Sequence, residues 1–326
     1  MSLKAIAAVL GLSVTTVSRA LNGYQDVAQE TRKRIEEEAQ RRGYRPNAAA
    51  RRLKTGRANA VGFVYPIGAS PLNGSDFSDM LLALEHHLAR YDINLLLLAD
   101  KQQQQATLTR LLRSGAVDAL IVGHTTPEDS RLHALLQTNF RFLALGRSDL
   151  PSTYAWFDVD HLAGSQLAVG WSLAQGRQRI AWLGSNENST RVRDRHQGYL
   201  TALGEVTPYA MAAVAPSRRA GYQQTREWLA EGPVPEVIIT DCAALAEGAA
   251  LALQLAGRAA GEGAILLAGW EGLPRDAILD HPIVAIRQAT PHQAGEQVAE
   301  MVIRLIDGAP PETLQTLWQP WLQLPA

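Results

Sequence analysis

The sequence predicts an α/β fold, with a small all-helical unit at the N-terminus and two lobes of parallel sheet behind it. Two observations predict this fold. From residue 59 onward, short apolar runs alternate with helical patterns, which is typical of buried parallel strands covered by helices. The first 57 residues contain only helical patterns and turns. At 326 residues the chain also exceeds one typical domain.

Nine apolar runs are predicted to be strands, and nine such units exceed one ordinary open sheet. The predicted strands are residues 60–65, 93–98, 119–122, 142–145, 179–183, 211–214, 237–240, 265–268 and 283–286. The predicted helices between them are residues 78–91, 107–114, 161–175, 197–203, 222–230, 245–255 and 293–306. Ligands of such sheets bind at the carboxyl ends of the strands. The loops that follow strands are residues 66–77, 99–105, 146–154, 184–195, 241–243 and 269–274.

The N-terminal unit has the pattern of a helix-turn-helix motif. Apolar residues recur over residues 6–10, and Gly11 is expected to end that first helix. Ser13 is expected to cap a second helix that runs to Asn22, and a third, amphipathic helix is predicted over residues 31–42. Two short helices joined by a tight turn with glycine predict a DNA-binding unit whose second helix enters the major groove.

Positive charge is concentrated in the same unit. Residues 1–57 contain twelve Lys and Arg against five Asp and Glu, giving a net charge of +7. The rest of the chain therefore carries −8, because the whole chain carries −1. A basic unit of this size, called the head below (residues 1–57), attached to an acidic remainder is typical of proteins that bind nucleic-acid phosphates.

A short segment after the third helix predicts a hinge. Residues 44–47 form an extended turn around a proline, and residues 48–54 favour a helix of about two turns. A helix that short is marginal in water, so we expect it to fold only when something holds it. Residues 55–57 then read as a linker.

Bulk properties narrow the class of protein. With a single cysteine, Cys242, no internal disulfide can form, which favours a cytoplasmic protein. Neither a signal peptide nor an apolar run of membrane-spanning length is present, so no membrane partner is expected and a secreted transport protein is disfavoured. Phosphate-binding loops, nucleophile elbows and metal-spaced Cys/His sets are missing. We therefore expect no enzyme, no catalytic residues, no metal and no cofactor.

Several segments, in this order, resemble the LacI/GalR family of bacterial transcriptional repressors over essentially the full chain, closest to its sugar- and glucoside-responsive members. The segments are Ser13-Val14-Thr15-Thr16-Val17-Ser18-Arg19, Tyr44-Arg45-Pro46-Asn47, Arg195-His196-Gln197-Gly198-Tyr199, Gly269-Trp270-Glu271 and Ile286-Arg287-Gln288. The resemblance implies a periplasmic-binding-protein-like core with two lobes, working as a homodimer on near-palindromic double-stranded operator DNA in the bacterial nucleoid.

The same resemblance implies three domains. Residues 1–46 would be the helix-turn-helix DNA-binding domain, and residues 47–57 the hinge helix and linker. Residues 58–326 would be the effector-binding and dimerisation core. In that core, the N-lobe is expected over about 58–159 and 290–318, and the C-lobe over about 160–289 and 319–326.

The resemblance also assigns positions to DNA. The expected DNA-binding residues are Leu3, Ser13, Val14, Thr15, Thr16, Ser18, Arg19, Asn22, Thr31, Tyr44, Asn47, Ala50 and Leu53. Arg19 can make a bidentate contact to guanine, and Val14 an apolar contact to a thymine methyl. Val14 could instead be a core residue of the head. Leu53 would wedge a base step in the minor groove, with Ala50 packed beside it. Ala28 departs from the usual capping Ser or Thr.

A sugar needs planar donors and acceptors and an aromatic face. The expected effector-binding residues are Asp76, Phe77, Arg147, Trp156, Arg195, Asp241, Trp270 and Glu271. Trp156 and Trp270 would be the stacking platforms. Alternatives stay open for three of these residues: Trp156 as a core residue, Glu271 as a rim charge and Arg195 as an ordinary surface charge.

These expectations predict a sequence-specific repressor of a sugar-utilisation operon. A sugar, expected to be a glucoside or an oligosaccharide, would bind between the lobes and release the repressor from its operator. The alternative has the same fold but the opposite response to ligand. In it, a corepressor or coactivating ligand, such as a sugar phosphate or another small metabolite, tightens DNA binding.

Overall fold

The computed structural model describes residues 2–21, 24, 26–44, 56–66, 75–100, 105–279 and 281–325. They form two compact units, Met1–Ala58 and Asn59–Ala326. The expected hinge helix and four expected DNA contacts lie outside the described residues. These contacts are Asn22, Asn47, Ala50 and Leu53.

The described residues of the first unit form three helices. They are α1 (Leu3–Leu10), α2 (Val14–Leu21) and α3 (Gln29–Arg41). The axes of α1 and α2 differ by 110°, which is the crossing expected of a helix-turn-helix. Gly11 makes this possible because it takes φ +64°, a left-handed conformation that glycine adopts without a Cβ penalty. Val17 and Ile35 are fully buried between the helices, so the unit has its own core.

The second unit contains two six-stranded sheets. The first sheet has β1 (Ala60–Pro66), β2 (Asn94–Asp100), β3 (Ala119–Gly123), β4 (Phe142–Leu145), β5 (Ala155–Val159) and β11 (Gln315–Trp318). Its strands are all parallel, in the order β11-β5-β4-β3-β1-β2. Its helices are α4 (Ser75–Ala89), α5 (Gln105–Ser114), α6 (Ser130–Thr138) and α11 (Pro291–Ile306). A core that includes Phe63 and Leu84 packs one face of this sheet against helices.

The second sheet repeats this plan. Its strands are β6 (Ile180–Ser185), β7 (Ala210–Val214), β8 (Val237–Thr240), β9 (Leu266–Trp270), β10 (Ile283–Arg287) and β12 (Trp321–Gln323), in the order β12-β10-β9-β8-β6-β7. Only the edge strand β12 is antiparallel to its neighbour. Its helices are α7 (His161–Ala174), α8 (Thr190–Leu203), α9 (Arg218–Ala230) and α10 (Ala243–Leu255).

The chain passes between the two sheets three times: between β5 and α7, between β10 and α11, and between β11 and β12. The α/β fold with two lobes of parallel sheet is confirmed. All nine predicted strands form, and so does the short strand at the end of the chain.

Four sequence predictions were incomplete. Strands β5 and β11 and helix α6 were not predicted. In β5 a charged residue, Asp158, interrupts the apolar run. Helix α8 begins seven residues earlier than the predicted residue 197. The reason is a cap, since the Ser189 side chain accepts the N–H of Val192. Arg195 therefore lies on a helix, although a loop was expected there.

Among the described residues, no single helix has both the length and the apolar character of a membrane span. Helices α1 and α2 reach that threshold only as a pair, and the pair is bent by 110°.

Candidate functional site

The N-terminal end of α2 presents its side chains to solvent. Val17 and Ala20 face the core of the head, which turns Ser13, Val14 and Thr15 outward. The Ser13 hydroxyl accepts the N–H of Thr16 at 3.0 Å, so the predicted cap is confirmed. Val14 is 40% exposed and stands outside the core, so the alternative of a core residue is wrong.

Arg19 follows one turn later on the same helix. It forms an ion pair with Asp26, and its guanidinium carbon lies 4.9 Å from the centre of the Tyr24 ring. Of the other expected DNA contacts, Leu3 and Tyr44 pack partly against the core of the head, and Thr31 is half-buried on α3. Thr16 and Ser18 are half-buried on α2. Most described members of the set therefore lie on α2 or just before it, whereas Leu3, Thr31 and Tyr44 lie on α1, on α3 and after α3.

In the second unit, a chain of contacts crosses from the first sheet to the second. Arg147 lies over Trp156, with 5.5 Å between its guanidinium carbon and the ring centre. Its Nε donates to Asp158 Oδ2 at 2.8 Å, and His161 Nε2 lies 3.4 Å from the other oxygen of that carboxylate. His161 Nδ1 in turn accepts from Arg195 Nε at 3.2 Å. Three of the expected effector residues, Arg147, Trp156 and Arg195, are thus linked through Asp158 and His161.

These contacts set the protonation of the buried pair. Although burial opposes it, hydrogen bonds from His161 and Arg147 hold the pKa of Asp158 below its ordinary value. Burial, followed by the charge of Arg195, lowers the pKa of His161 to about 4. At neutral pH the imidazole is therefore neutral, and it can accept from Arg195 through Nδ1 while donating to Asp158 through Nε2.

Arg195 lies at the centre of this arrangement. It is almost completely buried, and its Nη1 donates to the backbone carbonyl of Asp241. Its guanidinium carbon lies 4.0 Å from the centre of the Trp270 ring. Burial, with the charge of Arg191, lowers the pKa of Arg195 to about 10, so the side chain stays charged at neutral pH. The alternative of an ordinary surface charge is therefore wrong for Arg195.

Asp241 offers a buried acceptor beside this arginine. Its Oδ2 accepts the N–H of Ser185 at 2.7 Å, whereas Oδ1 has no hydrogen-bond partner among the described residues. Burial raises the pKa of Asp241, against the Ser185 amide and the charges of Arg195 and Arg191. A buried carboxylate oxygen without a partner is costly, so it marks a position where a ligand hydroxyl or water can donate.

The structure corrects the expected stacking role of Trp270. Its ring is fully buried, Arg195 covers one face, and its indole N–H donates to Ser165 Oγ at 3.2 Å. The Trp270 ring therefore supports Arg195 and offers no free face to a ligand. Trp156 keeps a partly exposed ring beside Arg147, so it is not a fully buried core residue.

Aromatic side chains from the first sheet form a second group. Tyr65 is the penultimate residue of β1, and its ring centre lies 4.9 Å from that of Phe77 on α4. The centre of the His124 ring lies 6.1 Å from that of Tyr65. Burial, with the charges of Arg191 and Arg131, lowers the pKa of His124 to about 4. The three rings of Tyr65, Phe77 and His124 therefore form an uncharged aromatic group. Of the three, only Phe77 was an expected effector residue.

An acidic group lies beside that aromatic group. Arg275, from the loop after β9, lies 2.7 Å from Asp79 and 3.5 Å from Asp76 on α4. Burial raises the pKa of Asp76, as does the nearby charge of Glu271. Glu271 is half-buried and takes φ +68°, a strained conformation for a residue other than glycine. The structure thus brings the expected residues Asp76 and Glu271 near each other from opposite sheets.

Tyr65, His124, His161 and Arg191 were missed as site residues by sequence reasoning. Tyr65 and His124 could have been found with the strand-end rule, because Tyr65 lies near the carboxyl end of β1 and His124 directly follows β3. Asp158 and His161 lie on β5 and α7, and β5 was not predicted. Among the described residues, no group of three or more His, Cys, Asp or Glu side chains is arranged to hold a metal ion.

Comparisons with known proteins cover both units. Residues 2–47 match the family described as bacterial regulatory proteins, lacI family. Residues 58–318 match periplasmic binding proteins and sugar binding domain of LacI family. Among curated proteins, the HTH-type transcriptional regulator RafR of Escherichia coli is 46% identical, over 98% of this chain and 96% of RafR. The regulator AglR of Rhizobium meliloti is 33% identical, over 98% of this chain and 91% of AglR.

A solved structure shows the same fold over nearly the whole chain. The Lac repressor dimer bound to operator and the anti-inducer ONPF superposes with a TM-score of 0.84. It is 22% identical, and the match covers 99% of this chain and 97% of that one.

Proposed function

This chain belongs to the LacI family of bacterial regulatory proteins, and from that premise we propose that it is a repressor of a sugar-utilisation operon, released from its operator by a neutral sugar. The family makes it a DNA-binding transcriptional regulator with a sugar-binding domain, not an enzyme. The repressor role, the class of effector and the direction of the response are the parts that we propose.

The observation that carries the proposal is the pairing of donor and acceptor at Arg195 and Asp241. The charged guanidinium donates to the backbone carbonyl of Asp241. The same buried residue carries Oδ1, a carboxylate oxygen with no hydrogen-bond partner among the described residues. Vicinal hydroxyls of a sugar can donate to the carboxylate and accept from the arginine. The rings of Tyr65 and Phe77 supply an apolar face for the C–H side of a sugar ring.

Charge balance favours a neutral ligand over a sugar phosphate. Arg147 is paired with Asp158, and Arg191 lies 3.4 Å from Glu187. These partners leave no cluster of unpaired basic groups among the described residues around Arg195. A phosphate group would need such a cluster to offset its desolvation. We therefore propose a glucoside or an oligosaccharide as the effector.

We propose that α2 reads the operator. Val14, Thr15 and Arg19 would contact base edges, and the exposed N-terminal turn of α2 supports this because recognition helices use that end. Leu53, whose structure is not described, would wedge the minor groove beside Ala50. These roles come from the family resemblance and remain proposals for this chain.

We propose that the working unit is a homodimer. Strand β2 is an edge strand of the first sheet and exposes Leu96 and Leu97, and α4 exposes Leu82 nearby in the sequence. In the second sheet's lobe, Ile278 is 97% exposed. Exposed apolar side chains of this kind mark protein–protein contacts. The related Lac repressor was solved as a dimer on its operator.

A sugar panel tests the class of effector. A ligand that binds only the folded state raises the melting temperature of the purified protein. Neutral glucosides and oligosaccharides are expected to raise it, and the same sugars carrying a phosphate are not. A melting temperature that rises with sugar phosphates alone would contradict the neutral-sugar proposal and favour a phosphorylated metabolite.

A further inference from the structure

The turn that follows α2 is fixed from both sides. The Tyr24 N–H donates to the Arg19 carbonyl at 3.1 Å, and the Tyr24 carbonyl accepts from Arg32 Nη2 at 2.6 Å. Val27 donates its N–H to the same carbonyl at 3.4 Å and is buried in the core of the head. Hydrogen bonds from α2, α3 and Val27 therefore hold the backbone of Tyr24 in place.

Two of those side chains meet Arg19. The Asp26 carboxylate forms an ion pair with Arg19 Nη2, and the Tyr24 ring lies 4.9 Å from the guanidinium carbon. The side chains of Arg19 and Asp26 are 41% and 53% exposed. The guanidinium is thus at the surface, available to another molecule, but held between an aromatic ring and a carboxylate.

A carboxylate on a DNA-facing surface is unfavourable by itself, because it repels the phosphates whose contacts supply most of the affinity for DNA. Next to an arginine it has two useful effects. It fixes the orientation of a long, flexible side chain before binding, so less freedom is lost on contact. It also cancels part of the charge that would otherwise attract a phosphate, which leaves a planar donor suited to the O6 and N7 acceptors of guanine.

We propose that Asp26 and Tyr24 are positioning residues that direct Arg19 to a guanine base and away from the phosphate backbone. The inference rests on the proposed base-reading role of Arg19 and names the residues that make this role specific. Asp26 raises the discrimination between the correct base and a wrong one, and it lowers the affinity for DNA of any other sequence.

The test is a double-mutant cycle on the full-length protein. Wild-type protein first selects duplexes from a random DNA library, which gives a preferred duplex and its guanine positions. Affinities for that duplex, for duplexes with each guanine replaced, and for an unrelated duplex are then measured for Asp26→Ala, Arg19→Ala and the double variant. Glu37→Ala is the matched control, because it removes one exposed acid from α3.

We expect Asp26→Ala to reduce discrimination at one guanine by about three- to tenfold and to strengthen binding to the unrelated duplex. Its effect on discrimination is expected to vanish in the Arg19→Ala background. Asp26→Asn, which keeps an acceptor, is expected to fall between wild type and Asp26→Ala. Glu37→Ala should retain the full discrimination.

Equal loss of affinity for every duplex in Asp26→Ala would overturn the inference, as would a loss of discrimination that persists without Arg19. Higher discrimination in Asp26→Ala would also overturn it, because Asp26 would then be withholding Arg19 from the base. If wild-type protein selects no sequence at all, the proposed function fails first, and the inference fails with it.

Discussion

Thr190, the first residue of α8, donates its backbone N–H to the carbonyl oxygen of Thr125, 3.0 Å away at the end of the opposite sheet. This bond satisfies one of the N–H groups that a helix leaves unpaired in its first turn. One turn later, Arg193 forms an ion pair with Asp149, also from the first sheet's lobe. Since α8 carries Arg195, the proposed effector contact and the contacts between lobes lie on one helix. We propose that a ligand held by Arg195 is thereby coupled to the arrangement of the lobes.

Substitution of Arg195 should separate effector binding from DNA binding. Arg195→Ala removes a charged donor buried against Asp241 and Trp270, so sugar affinity is expected to fall about 10- to 100-fold. Affinity for the operator without sugar should stay within about twofold, provided that the melting curve shows a folded protein. Isothermal titration with the sugar identified by thermal shift measures the first quantity. A variant with unchanged sugar affinity would remove Arg195 from the site.

The ion pairs between Arg275 and α4 should strengthen sugar binding, because they join the two lobes. Arg275 joins the lobes through Asp79 and Asp76 at an exposed position, and such pairs contribute about 0.2–1 kcal/mol. Arg275→Ala is therefore expected to weaken sugar binding by up to about fivefold, with less effect at high salt. Arg304→Ala, on α11, is the control for loss of one exposed arginine. Weaker operator binding in the absence of sugar, with sugar affinity unchanged, would show that the pair serves another purpose.

Two helical glycines should respond to alanine in opposite directions. At Gly198 on α8, a Cβ would lie 2.2 Å from the carbonyl oxygen of Leu162 on α7, so Gly198→Ala is expected to destabilise the protein by about 1–3 kcal/mol. At Gly170 on α7, nothing lies within 4 Å, and Gly170→Ala should stabilise it by about 0.5–1 kcal/mol. Urea unfolding monitored by circular dichroism measures both. A stabilised Gly198→Ala would mean that α7 and α8 pack less closely than described.

His161 should make stability depend on pH. Burial and Arg195 lower its pKa to about 4, below the ordinary value of 6.5. Between these values the unfolded chain binds more protons, so the free energy of unfolding falls as the pH falls from about 6.5 to about 4. The lowered pKa of His161 reduces the free energy of unfolding by about 3 kcal/mol as the pH falls over this full interval.

The matched variant for this prediction is His161→Gln, since glutamine can accept from Arg195 and donate to Asp158 without titrating. Urea unfolding at pH 7 and pH 4.5 should show a loss about 2–3 kcal/mol larger in wild type than in the variant. The raised pKa of Asp241 acts in the opposite direction but is common to both proteins. Equal losses in the two proteins would indicate that His161 titrates normally.

The sequence predicted most of the fold because buried parallel strands are short, continuous apolar runs. Strand β5 was not predicted because the buried charge of Asp158 interrupts its apolar run. Arg147 and His161 pair with this carboxylate. That pairing depends on contacts between residues from two lobes and has no local signature. For the same reason His161 was missed in the site.

The candidate site was partly predictable. The family resemblance named Arg195 and Asp241 as effector contacts, and the structure brings the two residues into contact. The resemblance could not show that the Trp270 ring lies under Arg195, fully buried. Burial depends on packing of α7 against β9, where Gly164 lies so near the Trp270 ring that a Cβ would be 2.4 Å from it. In the head, the cap at Ser13 was predictable because it is local, whereas the contact between Arg19 and Asp26 joins residues on either side of a turn.

The central claim is that a neutral sugar binding to the core releases the protein from its operator. Fluorescence anisotropy of a labelled operator duplex, titrated with protein with and without saturating sugar, tests it most directly. We expect the sugar to weaken operator affinity by at least about tenfold and to leave binding to an unrelated duplex nearly unchanged. A sugar that raises the melting temperature but tightens operator binding, or leaves it unchanged, would contradict the claim.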